Sequence, residues 1–212
     1  MIGGVILAAG RSSRMGQPKA LLTCRDGRTF VRALAEALQA GGVHRLVVVG
    51  RQDDDPLRFE VSGIDSVAFV VNDQADRGGQ LSSLIAGLDA LDGPGMCADM
   101  RGLMAAPVDA PLISAGSVAA LIAAFSATGA SIVRARYRQR HGHPVVFARE
   151  LFDELRRANP ELGAKAVLRA HAAAIVNVDV DDPAVVADVD TLEDYRALLD
   201  AADETSSRDR RH

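Results

Sequence analysis

The chain has 212 residues, 48% of them hydrophobic and 25% charged, with a formal net charge of −4, which suits one globular domain with an ordinary core. With 4% aromatics and no tryptophan it offers few rings for stacking single-stranded nucleic acid, and its overall charge does not draw polyanions. No apolar run reaches the length of a membrane span, no charged-then-apolar leader opens the chain, and Cys24 and Cys97 have neither metal nor disulfide spacing, so a reducing cytoplasm is expected.

Val5-Ile6-Leu7 reads as a short buried strand. Ala8, Ala9 and Gly10 follow, small enough for the backbone to approach a ligand closely. The cations Arg11, Arg14 and Lys19 come next. A loop of this kind can aim backbone N–H groups at phosphate oxygens, with cations completing the cradle. No Gly-Lys-Ser/Thr closes it, so it is not a Walker A loop.

After the turn signal Asp26-Gly27, the apolar spacing of Val31, Leu34, Ala35 and Leu38 predicts a helix over 30–40, stopped by Gly41-Gly42. Leu46 to Val49 is a second strand, and Asp53-Asp54-Asp55-Pro56 reads as a solvated acidic loop. Residues 67–71 form a third strand, with Asn72-Asp73 at its carboxyl end. A polar loop over 74–80 then feeds a helix over 81–91. A fourth apolar run, 102–106, ends in Pro107-Val108-Asp109-Ala110-Pro111, and a helix over 117–125 leads to a strand at 131–133. Strands alternating with helices predict an α/β fold with a mostly parallel sheet covered on both faces. Ligands of such sheets bind beyond the carboxyl ends of the strands, where Gly10, Asn72-Asp73 and Asp109 all fall.

The second half departs from simple alternation. Arg134, Arg136, Arg138 and Arg140 recur at every second residue, which in an extended strand puts them on one face. Two readings stand for them: a solvated face, or a surface for an anionic substrate. Gly142 and Pro144 mark a hairpin turn, and His143 between them either shapes that turn or serves the site. Helices are expected near 149–158 and 163–171, then a strand at 175–178. Thr191 with Asp194 looks like a capping pair for a last helix ending near Leu199. The expected organisation is one domain over 1–200, with an inserted hairpin in the second half and a flexible tail over 201–212.

These residues suit phosphoryl chemistry. Gly10, Arg14 and Lys19 could hold a triphosphate, and Asp109 could hold Mg²⁺ as a hard oxygen ligand. Asp188 or Asp190 could complete the metal shell, or both could merely flank the Thr191 cap.

The run from Leu7 to Lys19, Leu-Ala-Ala-Gly-Arg-Ser-Ser-Arg-Met-Gly-Gln-Pro-Lys, resembles the signature of the GT-A-like nucleotidyltransferases. Gly142-His143-Pro144-Val145-Val146-Phe147 and Asp188-Val189-Asp190-Thr191 are similar to elements of the molybdopterin cytidylyltransferase branch, although Lys165 stands where its relatives carry Arg. The resemblance implies a three-layer α/β/α Rossmann-like domain and a transferase joining CMP from CTP to the phosphate of molybdopterin. It implies Arg14, Lys19 and Asp109 as catalytic residues and Asp109, Asp188 and Asp190 around Mg²⁺. Substrate contacts would come from Leu7, Ala8, Ala9, Gly10, Asp73, Arg136 and His143, and from Gly79, Ser82 and Ser83 of a base-contacting loop. GTP or ATP as donor, a sugar or alcohol phosphate as acceptor, and a non-enzymatic carrier serving a molybdenum hydroxylase are the alternatives.

Overall fold

A computed structural model describes residues 1–11, 15–93 and 99–209, with side chains as far as residue 200. Among these residues the strands are β1 (Ile2–Leu7), β2 (Arg45–Gly50), β3 (Val67–Val71), β4 (Gly102–Pro107), β5 (Ile132–Tyr137), β6 (Arg140–Ala148) and β7 (Ile175–Asp179). They form one sheet in the order β3-β2-β1-β4-β6-β5-β7, in which only β6 runs antiparallel to its neighbours. The helices are α1 (Phe30–Ala40), α2 (Asp55–Ser62), α3 (Ala75–Asp92), α4 (Ala115–Thr128), α5 (Phe152–Arg157), α6 (Lys165–Ala170) and α7 (Leu192–Asp209). No helix among the described residues is long and apolar enough to cross a membrane.

Strand side chains alternate between two cores. Ile6, Val48, Met104 and Val133 point towards Phe30, Leu34 and Leu38 of α1, Leu57 of α2 and Leu121 of α4. Val5, Val49, Leu103 and Ile132 point the other way, towards Leu84 and Leu88 of α3, Leu155 of α5 and Val167 of α6. These are the expected three layers. Burying each such Leu, Ile or Phe contributes about 1.5–3 kcal/mol, so both helical layers are firmly held and the sheet edge between them is a rigid place for a site.

Four local expectations need correction. The acidic stretch is not a loop throughout: Asp54 accepts a hydrogen bond from the Leu57 amide, Pro56 occupies the first turn, and α2 begins there. The loop before the third helix is largely helical, because α3 starts at Ala75 and only Gly79 leaves helical geometry, at φ +55°. The hairpin turns at Arg138-Gln139, with φ of 45° and 67°, so Arg138 and Arg140 do not continue the strand of Arg134 and Arg136. Gly142 and Pro144 lie inside β6 instead, where the pairing with β5 shifts register. Finally, α7 passes Leu199 and reaches Asp209, through Ala201, Ala202 and Glu204, residues that favour helix. Its start is as expected: Thr191 Oγ1 accepts from the Asp194 amide at 3.1 Å, and Asp194 accepts from the Thr191 amide at 2.7 Å.

Candidate active site

β1, β2, β3 and β4 all end at one sheet edge, and the segments that leave them enclose a cleft of about 500 Å³. Its walls include Leu7, Ala8, Ala9, Gly10 and Lys19 from the loop after β1, Gly79, Gln80 and Ser83 from α3, and Asp109 and Asp190. Sequence-predicted residues from remote parts of the chain therefore meet. Arg14 lies outside the described residues. Asp73, Ser82, Arg136, His143 and Asp188 do not line the cleft.

The first-loop backbone is held open by the sheet. The Ala8 amide donates to the Val49 carbonyl at 2.9 Å, and a side chain built at Gly10 would meet nothing within 4 Å. Lys19 begins a short 3₁₀ turn and reaches across the cleft, its Nζ 2.6 Å from Asp190 Oδ1 and 3.2 Å from Asp109 Oδ2. Asp109 follows β4 directly. The segment carrying Asp190 is tied to it, since the Val189 amide donates to the Asp109 carbonyl at 2.9 Å.

Two carboxylates converging on one cation are a donor set suited to a hard divalent ion. Among the described residues no three His, Cys, Asp or Glu side chains stand ready to hold a metal together, so Asp188 does not complete a preformed trio. A Mg²⁺ ion that keeps several waters and takes phosphate oxygens needs only one or two carboxylates, and Asp109 with Asp190 fits that requirement. Asp188 is nonetheless electrostatically part of the region. Partial burial, and then the charge of Asp109, raise its carboxyl above the ordinary range, while His143 opposes the rise.

At the α3 wall, buried Asn72 donates to Ser82 Oγ at 2.8 Å and to Ser83 Oγ at 2.9 Å, and accepts from the Gln74 amide at 2.9 Å. Ser82 also donates to the Gly79 carbonyl at 2.9 Å. Ser82 thus organises the loop from behind, while Ser83 and Gly79 face the cleft. Gly79 is required there by its positive φ.

Sequence reasoning missed a charged bridge. Arg11 donates to both Asp76 carboxylate oxygens at 2.9 and 2.8 Å, and Arg51 reaches the same carboxylate at 2.7 Å. Arg51 also approaches the Ala9 carbonyl at 3.4 Å. The hydrogen bonds from the two guanidiniums hold the Asp76 carboxyl far below the usual carboxylate range. Arg51 follows a strand at the ligand edge, and that position is the signal that could have singled it out.

Away from the cleft, Arg136 is paired bidentately with Asp179 at 2.6 Å, so its charge is offset within the fold. Arg134 donates to the neutral Asn177 side chain at 2.9 and 3.2 Å. His143 is largely enclosed, and burial lowers its pKa despite the raising influence of Asp188 and Asp109.

Comparison with known proteins agrees with this fold. The MobA-like NTP transferase domain family matches residues 4–176. The chain is 30% identical over 206 residues to the nicotine blue oxidoreductase of Paenarthrobacter nicotinovorans, covering 93% of this chain and 96% of that protein. It is 40% identical over 120 residues to a molybdenum cofactor guanylyltransferase of Xanthomonas euvesicatoria, a match spanning 57% of this chain and about half (53%) of that one. Among solved structures, Rv0371c from Mycobacterium tuberculosis superposes with a TM-score of 0.78 at 29% identity, over 94% of this chain and 97% of that one. A second structure of Rv0371c is a complex with manganese, with a TM-score of 0.73 and the same 29% identity, over 94% of this chain and 98% of that one. By a match spanning residues 4–176, most of its length, this chain belongs to the MobA-like NTP transferase family.

Proposed function

We propose that the protein is a Mg²⁺-dependent nucleotidyltransferase that moves CMP from CTP to the phosphate of molybdopterin and releases pyrophosphate. The observation that carries the reading is the meeting of Lys19, Asp109 and Asp190 beside a glycine-containing loop with room for a triphosphate. In this reaction an acceptor phosphate oxygen bonds to the α-phosphorus and the bond to the β-phosphate bridge breaks. That oxygen is already anionic near neutral pH, so the chemistry asks for charge neutralisation and alignment rather than a general base. The ion would neutralise charge on the phosphates and fix their in-line geometry when bound. Asp109 and Asp190 would hold it, and Lys19 would turn from them to the phosphates. Ala8 to Gly10 would lie along the nucleotide, with Gly79 and Ser83 at the base. The manganese complex of Rv0371c supports a divalent ion in this fold.

The relative in Xanthomonas euvesicatoria carries molybdenum cofactor in its name, which supports molybdopterin as acceptor; the same name says guanylyltransferase, which favours GTP as a second reading. CTP is preferred here because Ala9 lines the cleft with a methyl group that would narrow the room for a purine, and because Gly142–Phe147 resembles the cytidylyl branch. A third reading, reduction of a planar substrate, is suggested by the nicotine blue oxidoreductase. The paired carboxylates around Lys19 favour transfer, because hydride transfer has no use for them. They also argue against a mere carrier, which needs no paired carboxylates; acting in the cytoplasm, the transferase would hand its product to a molybdenum hydroxylase. Pyrophosphate release with CTP, GTP and ATP, and NADPH oxidation in parallel, separate these readings. Release with CTP and molybdopterin is the expected result; NADPH oxidation without pyrophosphate would overturn it.

A further inference from the structure

The first turn of α7 is tied to both partners of the Lys19–Asp190 pair. Asp194 Oδ2 accepts three hydrogen bonds, from the Asp190 amide at 3.0 Å, the Thr191 amide at 2.7 Å and the Thr191 hydroxyl at 2.8 Å. Thr191 Oγ1 accepts in return from the Asp194 amide at 3.1 Å, which caps the helix. A cap needs only the Thr191 bonds. The bond from the Asp190 amide goes beyond them and fixes the backbone of the cleft carboxylate itself. The preceding amide, of Val189, donates to the Asp109 carbonyl at 2.9 Å, so two successive peptide links are held by different elements, the end of β4 and the start of α7.

Tyr195 makes the second tie. Its ring meets Phe30 edge-on, with centroids 5.9 Å apart, and its hydroxyl donates to the Thr23 carbonyl at 2.8 Å. Thr23 follows Leu22, whose amide closes the 3₁₀ turn of Lys19 by donating to the Lys19 carbonyl at 3.1 Å. One helix thus braces the segments that carry the ammonium and the carboxylate. The Asp190 side chain is 49% exposed, so packing alone does not fix it. An ion pair that must order its own side chains in solvent gains little, and ordering the backbone beforehand removes part of that cost.

We propose that Asp194 and Tyr195 are positioning residues, which hold Asp190 against Lys19 through the first turn of α7. That this spacing seats a divalent ion rests on the transferase reading; the positioning itself does not. The first test is a double-mutant cycle between Lys19→Ala and Asp190→Ala in denaturant unfolding of the full chain, repeated with Asp194→Ala and with Asp194→Asn. The pair should show coupling of about two- to fivefold in the folding constant, as a partly exposed ion pair does. Coupling should vanish with Asp194→Ala and persist with Asp194→Asn, because all three hydrogen bonds fall on one oxygen and an amide oxygen can accept them. The second test titrates Mn²⁺ in the presence of CTP and follows the free ion by EPR. Affinity should be about tenfold weaker in Asp194→Ala. Tyr195→Phe, which keeps the ring and loses the bond to Thr23, should weaken it about threefold. Glu193→Ala, which removes a carboxylate from the same turn, should leave it unchanged. Tyr195→Phe carries both measurements if Asp194→Ala does not fold. No coupling in the wild type, coupling that survives in the folded variants, or equal losses in Asp194→Asn and Asp194→Ala would each overturn the positioning. The predicted pattern of coupling in a protein that binds no Mn²⁺ would support the positioning and count against the transferase reading alone.

Discussion

Lys19 Nζ lies 2.6 Å from Asp190 Oδ1 and 3.2 Å from Asp109 Oδ2, so one ammonium joins side chains 171 and 90 residues away along the chain. The Lys19 and Asp109 side chains are only 13% and 21% exposed, so solvent does little of this neutralisation. Lys19→Ala leaves two converging carboxylates without that cation. Turnover should fall roughly a hundredfold or more, equivalent to about 3 kcal/mol of transition-state stabilisation. The melting temperature at pH 7 should drop by about 2–4 °C, the shift that ~1 kcal/mol produces in a chain of this size. Steady-state kinetics and calorimetry check the two effects separately.

Asp109→Asn keeps the shape of the side chain and removes its charge. The fold should be unchanged by circular dichroism, and Mg²⁺-dependent turnover should fall about a hundredfold or more. A variant within about threefold of wild type would show that Asp109 holds no metal.

Gly142 is a packing requirement. A Cβ built there would overlap the Val185 carbonyl, in the segment that continues to Asp188 and Asp190. Gly142→Ala should cost about 1–3 kcal/mol of stability, as overpacking does. It should also displace the Asp190 segment, so metal-dependent turnover should fall further than stability accounts for. Gly142→Ala with wild-type stability and turnover would remove this link between the hairpin and the site.

Burial pushes the Cys24 thiol up to about 11, from an ordinary value of 9.0. The folded thiol therefore stays neutral where the unfolded one ionises. The stability this contributes is complete below pH 9.0 and is lost as the pH rises towards about 11. The loss amounts to about 3 kcal/mol. Denaturant titrations of wild type and Cys24→Ala across that range should show the steeper decline in wild type.

Ala9→Gly removes the methyl group from the cleft wall. If that methyl limits purine entry, kcat/KM for GTP relative to CTP should rise ten- to a hundredfold, corresponding to about 1–3 kcal/mol. An unchanged ratio would mean that base choice is set elsewhere, and the Arg51–Asp76 bridge is then the next place to look.

The parts of this molecule legible in its sequence are those governed by local rules. The bounds 30–40 of α1 and 67–71 of β3 follow from apolar spacing and glycine stops, and the Thr191–Asp194 cap from a short motif. Gly10 and Asp109 were placed at one edge because strand ends in an α/β sheet share it, while Lys19 and Asp190 joined them through the loop's cations and the resemblance. What remained hidden depends on partners distant in the chain. Arg136 looked available for a substrate until β7 brought Asp179 beside it. Arg11 and Arg51 gave no sign of sharing Asp76, because the contact joins two loops and a helix start that follow three different strands. The alternating arginines suggested one long strand, but Arg138 and Gln139 turn in left-handed geometry that neither residue type announces.

The most direct measurement of the central claim uses CTP labelled at the α-phosphate, incubated with the purified protein, Mg²⁺ and molybdopterin. The account predicts label in a molybdopterin-containing product, one pyrophosphate released for each label transferred, and loss of both on adding EDTA or in Asp109→Asn. Pyrophosphate release that leaves the label on free CMP, or no transfer from any nucleoside triphosphate, would contradict it.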